Sequence, residues 1–247
     1  MENNELIKRA EDLARRCERS GKVCATGFLS PAEQYEIQTH LGHTDCKLVF
    51  SGGTEGRERA AAFFLPEYME EYELDVGDYI CAMELRAYFG TPGHRDYMGA
   101  LLGMGIGREW LGDIQVEGDR AYVFCMKSVL GHLLSIEKAG RYTVKGRQLE
   151  LSEVPQRHVE TEETSFSVMS LRLDAVAAGL FHLSRTEAAK QIAAGNLSLN
   201  YAQCLKADCT VKEGDIISLK GRGKGKISGT GGTSRKGRLF VYGEIYK

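Results

Sequence analysis

Apolar residues at helical spacing mark the start of the chain. They recur every three or four positions from Leu6 to Cys17, which predicts an amphipathic helix over residues 5–19 that ends at Gly21. The segment SPAE at 30–33 predicts the start of a second helix. Serine caps, proline suits the first turn, and the glutamate completes a capping box.

Two short apolar runs, 46–50 and 60–65, lie on either side of the glycine-rich stretch SGGTEGRER. Runs of this length bounded by glycine are typical of strands joined by a turn. Together with the two helices they predict a small α/β head over residues 1–75.

From residue 79 onward the pattern alternates between strand and helix periodicity. The predicted order is strand, helix, strand, strand, helix, strand, at 79–89, 94–102, 113–117, 120–125, 128–138 and 142–144. The series β-α-β-β-α-β is the split βαβ of ferredoxin-like domains, and many RNA-recognition modules share it. Residues 76–151 are therefore predicted to form a ferredoxin-like (RRM-like) middle domain.

The last part of the chain begins with a polar, acidic stretch at 152–167, which predicts a linker. Two short helices are predicted after it, at 171–178 and 184–194, the second capped by Ser184 and ended by Gly195. Short strands are then predicted at 197–199, 209–211, 215–219 and 238–245. The fold class is α+β, with a C-terminal domain over residues 168–247.

Charge is distributed unevenly along the chain, although the net charge is only −2. Residues 168–247 contain 13 Lys and Arg and 6 Asp and Glu, a local charge of +7, whereas residues 1–167 contain 19 and 28, a charge of −9. A basic domain on an acidic chain is typical of nucleic-acid binding, because neutralised phosphates release counterions. A solvated basic surface without a partner is the alternative.

The cysteine spacing tests for a metal site, and the hydropathy of the chain tests for a membrane span or a signal peptide. The seven cysteines are an odd number without a C-x-x-C pair, and the nearest pair, Cys204 and Cys209, has no further ligands beside it. We therefore expect free thiols, no metal and no cofactor. The chain has no apolar run of about 18 residues and no signal-peptide core at its start, so we expect a cytoplasmic protein without a membrane span.

Four segments of the basic part resemble the S4 RNA-binding domain in order and spacing: RLDAV (172–176), LSRTEA (183–188), IAAGNLSLN (192–200) and VKEGD (211–215). The resemblance implies an αα-β RNA-binding domain that holds structured RNA through phosphate and shape contacts. By position, it implies contacts from Arg172, Ser184, Arg185, Lys190, Asn200 and Lys206. Ser184 alternatively only caps its helix, and Asn200 alternatively only makes a turn.

The stretch GRGKGKISGTGGTSRKGR at 221–238 is rich in glycine and cations and has no acid. Glycine resists packing and like charges repel, so we expect a mobile loop between the last two strands that becomes ordered on a polyanion. This stretch and the residue before it add candidate RNA contacts: Lys220, Arg222, Lys224, Lys226, Arg235, Lys236 and Arg238.

Sequence motifs argue against common catalytic sites. The glycines at 99–107 do not form G-x-G-x-x-G, SGGTEG at 51–56 is not followed by Gly-Lys-Ser/Thr, and the His-Arg-Asp at 94–96 lacks the other kinase signatures. A group of His94, Asp96 and Asp113 is the remaining acid–base candidate. We expect no catalytic residues.

The whole-chain layout resembles the YlmH family of bacterial S4 proteins, most specifically in GTPGHRDYMGALLGMGIGREWLGDI (90–114) and in the S4-like segments. The resemblance implies a non-enzymatic protein that acts on the large ribosomal subunit. We expect it to bind structured rRNA and tRNA and to be a monomer. The resemblance further implies a role in rescue of obstructed subunits, with an older link to cell division.

Arg95 and Arg108 in the middle segment become candidates for a second RNA contact. The competing hypothesis is an RNA-modifying enzyme, of the pseudouridine synthase or methyltransferase type, with an appended S4 domain.

Overall fold

A computed structural model describes residues 2–156, 161–234 and 237–246. Within them the chain forms two compact units, Met1–Arg157 and His158–Lys247. The described residues contain six α-helices and three antiparallel sheets. The fold is therefore a mixture of α and β elements.

The first part of the N-terminal unit is a three-stranded antiparallel sheet, in the order β1-β3-β2, with two helices. Its elements are α1 (Glu2–Ser20), β1 (Cys24–Leu29), α2 (Pro31–His40), β2 (Lys47–Ser51) and β3 (Ala60–Leu65). The sequence did not predict β1. The capping box of α2 is confirmed, because Glu33 N donates to Ser30 Oγ at 3.4 Å and Ser30 N donates to Glu33 Oε2 at 2.6 Å.

The second part of this unit is a five-stranded sheet in the order β5-β6-β4-β8-β7, with antiparallel pairing throughout. Its elements are β4 (Ile80–Ala87), α3 (His94–Gly103), β5 (Leu111–Glu117), β6 (Arg120–Met126), α4 (Lys127–Leu133), β7 (Lys138–Ala139) and β8 (Tyr142–Leu149). Helix α4 ends earlier than predicted, and β8 continues five residues further. Short 3-10 turns lie at Glu71–Glu73, Val76–Asp78, Arg108–Trp110 and Leu151–Glu153.

The two sheets of the N-terminal unit share a core. Strand β3 is apolar on both faces: Phe64 packs under α1 and α2, whereas Phe63 packs with Phe28 against Ile80 and Phe124 of the second sheet. The opposite face of the second sheet is covered by α3 and α4. Residues 1–75 and 76–151, which the sequence divides into two domains, thus belong to one compact unit.

The C-terminal unit packs two helices on one face of a six-stranded antiparallel sheet, in the order β11-β10-β12-β13-β14-β9. Its elements are β9 (Thr161–Val168), α5 (Leu173–Leu180), α6 (Arg185–Ala193), β10 (Leu197–Leu199), β11 (Ala202–Gln203), β12 (Ile216–Leu219), β13 (Gly223–Thr233) and β14 (Leu239–Tyr246). Both predicted helices, the strand at 197–199 and the last strand are confirmed to within about two residues.

Three predictions for this unit are wrong where the structure describes the chain. Half of the expected linker is β9, which pairs along its whole length with β14. Much of the expected loop at 221–238 is β13, held between β12 and β14. The expected strand at 209–211 makes only an isolated bridge, from Thr210 to Arg172. Pairing with neighbouring strands outweighs low strand propensity in the first two cases.

Gly179 of α5 lies against the ring of Phe166 from β9, where an added Cβ would overlap the ring. We expect Gly179→Ala to lower the free energy of unfolding of the C-terminal unit by about 1–2 kcal/mol, because overpacking outweighs the helix propensity of alanine. Gly99→Ala is the matched control, since Gly99 lies in α3 with open space around it and should gain up to about 1 kcal/mol. Urea unfolding measures both; a stabilised Gly179→Ala variant would contradict this packing.

Candidate nucleic-acid interface

Two arginines of the C-terminal unit share one carboxylate. Arg172 immediately precedes α5, at the N-cap position, and Arg185 is the first residue of α6. Both reach Asp174 in the first turn of α5: Arg172 Nε donates to Oδ1 at 3.2 Å, and Arg185 Nε donates to Oδ2 at 3.0 Å. A terminal nitrogen of each guanidinium makes a second bond to the other oxygen, at 3.3 and 3.2 Å. We call these three residues the Asp174 cluster.

The Asp174 cluster holds its cations at the surface and its anion inside. The side chain of Asp174 is 8% exposed, against 41% for Arg172 and 56% for Arg185. Burial would raise the pKa of Asp174, but the hydrogen bonds from both arginines outweigh it and the pKa lies below its usual range. A guanidinium has five N–H donors and each of the two arginines uses two of them here, so both retain donors for an anion. The two arginines and one aspartate give the cluster a net charge of +1.

Of the cations that the S4 resemblance implies as contacts, Arg172 and Arg185 lie together, whereas Lys190 does not join them. Lys190 is exposed on α6. It is five positions after Arg185, so the two side chains point about 140° apart around the helix axis. It is two positions from each of the buried residues Ala188 and Ile192 and therefore lies on the opposite side of the helix from them. The arginine pair is brought together, and this lysine is separate from it.

Two predicted contacts have structural roles. Ser184 Oγ accepts a hydrogen bond from Glu187 N at 3.1 Å and so caps α6. Asn200 has a left-handed backbone (φ 49°), donates from Nδ2 to Asp215 Oδ1 at 2.9 Å and accepts from Ile216 N at 2.9 Å. Its amide thus holds the turn after β10, which is the alternative role considered for this residue, and its contact with RNA stays a prediction.

The remaining predicted cations of this unit are spread over its surface. Lys206, Lys220 and Arg222 are exposed in the turns beside the sheet. Arg238 is exposed and donates to Ser167 O at 3.0 Å. Arg235 and Lys236 lie outside the described residues.

Lys224 and Lys226 point away from the helices, because they alternate along β13 with buried Gly225 and Ile227. Lys224 Nζ lies 5.0 Å from the ring centroid of Tyr246, and Lys226 is opposite Glu244 on β14. The outer face of the sheet therefore carries one cation beside an aromatic ring and one opposite a carboxylate.

Two exposed aromatic side chains of β14, which were not predicted as site residues, extend this outer face. Phe240 is 41% and Tyr242 48% exposed. The ring of Tyr242 lies over Gly231 of β13, where a Cβ would meet it at 3.0 Å. The alternation in LFVYGEIY was the signal, since every second residue of a half-buried strand faces outward.

The two cations predicted for the middle segment differ. Arg95 is exposed in the first turn of α3. Arg108 instead donates from Nη1 to Leu111 O at 2.7 Å and Gly112 O at 3.2 Å, and burial lowers its pKa to about 10. Arg108 therefore binds the backbone of its own unit through Nη1, and its contact with RNA stays a prediction.

Two of the three acid–base candidates, Asp96 and Asp113, accept hydrogen bonds from the backbone. Asp96 Oδ2 accepts from Gly93 N at 2.8 Å, and Asp113 accepts from the backbone nitrogens of Glu58 and Arg59 at 2.8 and 3.1 Å. Among the described residues, no three His, Cys, Asp or Glu side chains are grouped to hold a metal ion. None of the described helices has the length and apolar character needed to cross a membrane.

Two models of the YlmH family match successive parts of the chain. "YlmH, N-terminal" matches residues 2–65, and "Putative RNA-binding domain in YlmH" matches residues 69–153. The chain belongs to the YlmH family. The two YlmH models meet within the compact N-terminal unit, near the boundary between its two sheets.

Similar proteins agree with the YlmH assignment. The chain is 29% identical over 244 residues to ribosome-associated protein quality control protein P2 of Bacillus subtilis, covering 98% of this chain and 95% of the relative. The structure of cell division protein ylmH from Streptococcus pneumoniae superposes with a TM-score of 0.50 at 19% identity, over 62% of this chain and 94% of that one. The structural likeness shows a YlmH-like fold.

Proposed function

We propose that this protein binds structured RNA on the large ribosomal subunit and acts in ribosome-associated quality control, including rescue of obstructed subunits that carry peptidyl-tRNA. It acts in the cytoplasm as a monomer, with rRNA and tRNA as its RNA partners. The observation that carries the proposal is the Asp174 cluster, where a buried carboxylate holds two part-exposed guanidinium groups side by side on the basic unit. Arginine forks held in this way suit phosphate recognition.

Two further findings support the proposal. One of the matched family models is described as an RNA-binding domain, and the relative from B. subtilis is named for ribosome-associated quality control. Outward-facing Lys224 and Lys226 add positive charge to the unit that holds the Asp174 cluster.

The domain types belong to the same proposal. Within the middle sheet, β5-β6-β4-β8 is the order that a ferredoxin-like split βαβ has, with β7 added beyond its edge. In the C-terminal unit, α5 and α6 followed by β10 and β12 support an S4-like αα-β module, extended by β13, β14 and β9.

A binding role without catalysis is part of the proposal. The thiols of Cys17 and Cys125 are buried, and burial raises the pKa of each to about 12, which keeps them protonated and weakly nucleophilic. Asp96 and Asp113 accept backbone hydrogen bonds. The alternative is RNA modification, and mass mapping of RNA from cells with and without the gene separates the two: a modification lost with the gene would favour the enzyme.

Arg185→Gln tests the RNA interface. We expect about tenfold weaker binding to purified large subunits at 150 mM salt, because one charge-assisted contact is removed while Asp174 retains Arg172. Co-sedimentation measures it, and circular dichroism confirms folding. Lys212→Gln is the control, since Lys212 is an exposed cation of the same unit outside the predicted contacts. Equal binding of the two variants would reject the Asp174 cluster as the interface, and wild-type protein that binds no subunits would reject the proposed function.

A further inference from the structure

A second cluster of cations lies on the N-terminal unit, on the face of the five-stranded sheet opposite α3 and α4. Strand register places Arg86 of β4 directly between Lys145 of β8 and Arg120 of β6. In the next outward row, Arg147 of β8 is opposite Glu84 of β4. Three neighbouring strands thus present four cations to one side, in two adjacent rows about 10 Å wide. We call this set, with Glu84 and Asp119, the sheet cluster.

Like charges directly opposite each other on a sheet are unfavourable, so this arrangement needs counter-charge. Part of it is internal: Arg147 Nε donates to Glu84 Oε2 at 2.6 Å, and Arg120 Nη1 lies 3.4 Å from Glu84 Oε1. Arg86 Nε lies 3.0 Å from Asp119 Oδ2. Two carboxylates against four cations leave a net charge of +2, although the N-terminal unit is acidic as a whole.

Burial within the sheet cluster follows the pattern of the Asp174 cluster. The side chain of Glu84 is 4% exposed, whereas Arg86 and Arg147 are each 61% exposed and Arg120 is 40% exposed. Glu84 therefore anchors two guanidinium groups from below while they remain open to an anion. Lys145 is exposed beside them.

The surface above the sheet cluster is concave and has an aromatic rim. The cations and Tyr88 line a depression of about 650 Å³. Tyr88 is 60% exposed at the end of β4, and Phe89 beside it is 87% exposed. Exposed rings next to arginine forks match a chain that alternates phosphates with flat bases, since the ring stacks on a base while the cations hold the backbone.

We propose that the sheet cluster is a second RNA-binding site, which takes the phosphate backbone of an unpaired RNA segment between Arg86, Arg120, Lys145 and Arg147 and stacks one base on Tyr88. RNA as the ligand class rests on the proposed function, but the site itself rests on a different unit and different residues from the Asp174 cluster. An acidic peptide would satisfy the cations and leave the exposed aromatic rim without a role.

Arg86→Gln combined with Lys145→Gln tests the site without disturbing the support of Glu84, which Arg120 and Arg147 provide. The probe is a fluorescent RNA stem-loop with a ten-nucleotide loop, titrated with the full chain from 50 to 200 mM KCl. Two lost phosphate contacts should reduce the slope of log affinity against log salt by about 1.4–1.8. Lys8→Gln with Arg16→Gln is the matched control, because it removes two exposed cations from α1 of the same unit.

Tyr88→Leu gives a second readout. Loss of one stacked base should weaken binding about tenfold without changing the salt slope, and should abolish ultraviolet crosslinking of position 88 to the RNA. A Tyr88→Leu variant that crosslinks and binds like the wild type would overturn the stacking role.

The outcomes separate this site from the proposed C-terminal interface. If the Arg86/Lys145 variant matches its α1 control while Arg185→Gln weakens binding, the sheet cluster is overturned and the proposed function stands. If the Arg86/Lys145 variant alone weakens binding, the sheet cluster is supported and the Asp174 cluster is not the interface. Displacement of the RNA by polyglutamate as effectively as by unlabelled RNA of equal charge would overturn RNA as the ligand.

Discussion

Phe124→Ala is expected to lower the free energy of unfolding of the N-terminal unit by about 3–5 kcal/mol, the usual cost of truncating a fully buried phenylalanine. Phe124 lies on β6, with 0% of its surface exposed, between the two sheets of that unit. The guanidinium of Arg57 lies 4.3 Å from its ring centroid, and Gly53 and Gly112 leave room for its side chain. Removal of this ring deletes packing contacts with both sheets at once.

The same variant tests whether the two sheets unfold together. Hydrogen exchange should show that the amides of β3 and those of β6 lose protection to a similar extent, since both border the cavity. Phe89→Ala is the matched control and should change stability by less than about 0.5 kcal/mol, because Phe89 is 87% exposed. Full protection of β3 in Phe124→Ala would support the division at residue 75 against the shared core.

Local signals in the sequence were sufficient for most helices and hairpin strands. The capping box at Ser30 and the cap at Ser184 each mark a helix start to the residue, because the cap is made by side chains within three positions of it. Strand β3 was predictable as a strand, but the burial of both its faces depends on a partner sheet far along the chain. Because the second sheet packs on β3, the N-terminal unit includes both sheets and does not end at residue 75.

Two errors arose where tertiary pairing overrides local preference. Glycines and like charges in β13 predict a loop, yet β12 and β14 supply hydrogen bonds on both sides, and the glycines leave space for Tyr242 and for Leu180 of α5. In β9, polar residues occupy the outer face of an edge strand, so the acidic composition hides the inward Phe166 and Val168.

In both candidate sites, the contacts between side chains from different elements could not be predicted from the spacing of residues in the sequence. Arg172 and Arg185 were predicted from the sequence, but Asp174 was not, because a common carboxylate requires the N-termini of α5 and α6 to lie side by side. The sheet cluster was hidden for a similar reason. Its cations stand at outward positions of β4, β6 and β8, and only the strand register shows that they occupy two adjacent rows.

Asp174→Asn is expected to destabilise the C-terminal unit by about 2 kcal/mol at neutral pH. The carboxylate is buried and accepts four hydrogen bonds from two arginines, which an amide cannot match, although the exposure of both arginines limits the loss. Because the folded-state pKa of Asp174 is lowered, its stabilisation is fully present above the unfolded value of about 4 and is lost as pH falls through the folded value. Urea unfolding at pH 7 and below pH 4 should therefore show a difference from wild type that shrinks on acidification; a constant difference would contradict a charge-based role.

RNA affinity of the same variant separates orientation from charge. Asp174→Asn and its control Glu213→Gln each remove one negative charge, and Glu213 is exposed in a turn of the same unit. If net charge alone governs binding, both variants should bind an RNA stem-loop more tightly than wild type. If the carboxylate orients the two guanidinium forks, Asp174→Asn should bind several-fold more weakly than Glu213→Gln, since freed arginines lose conformational entropy on contact with phosphate. The second result is expected, because a buried acid between two surface arginines costs net positive charge at an RNA interface and is useful there only as a support that fixes their direction.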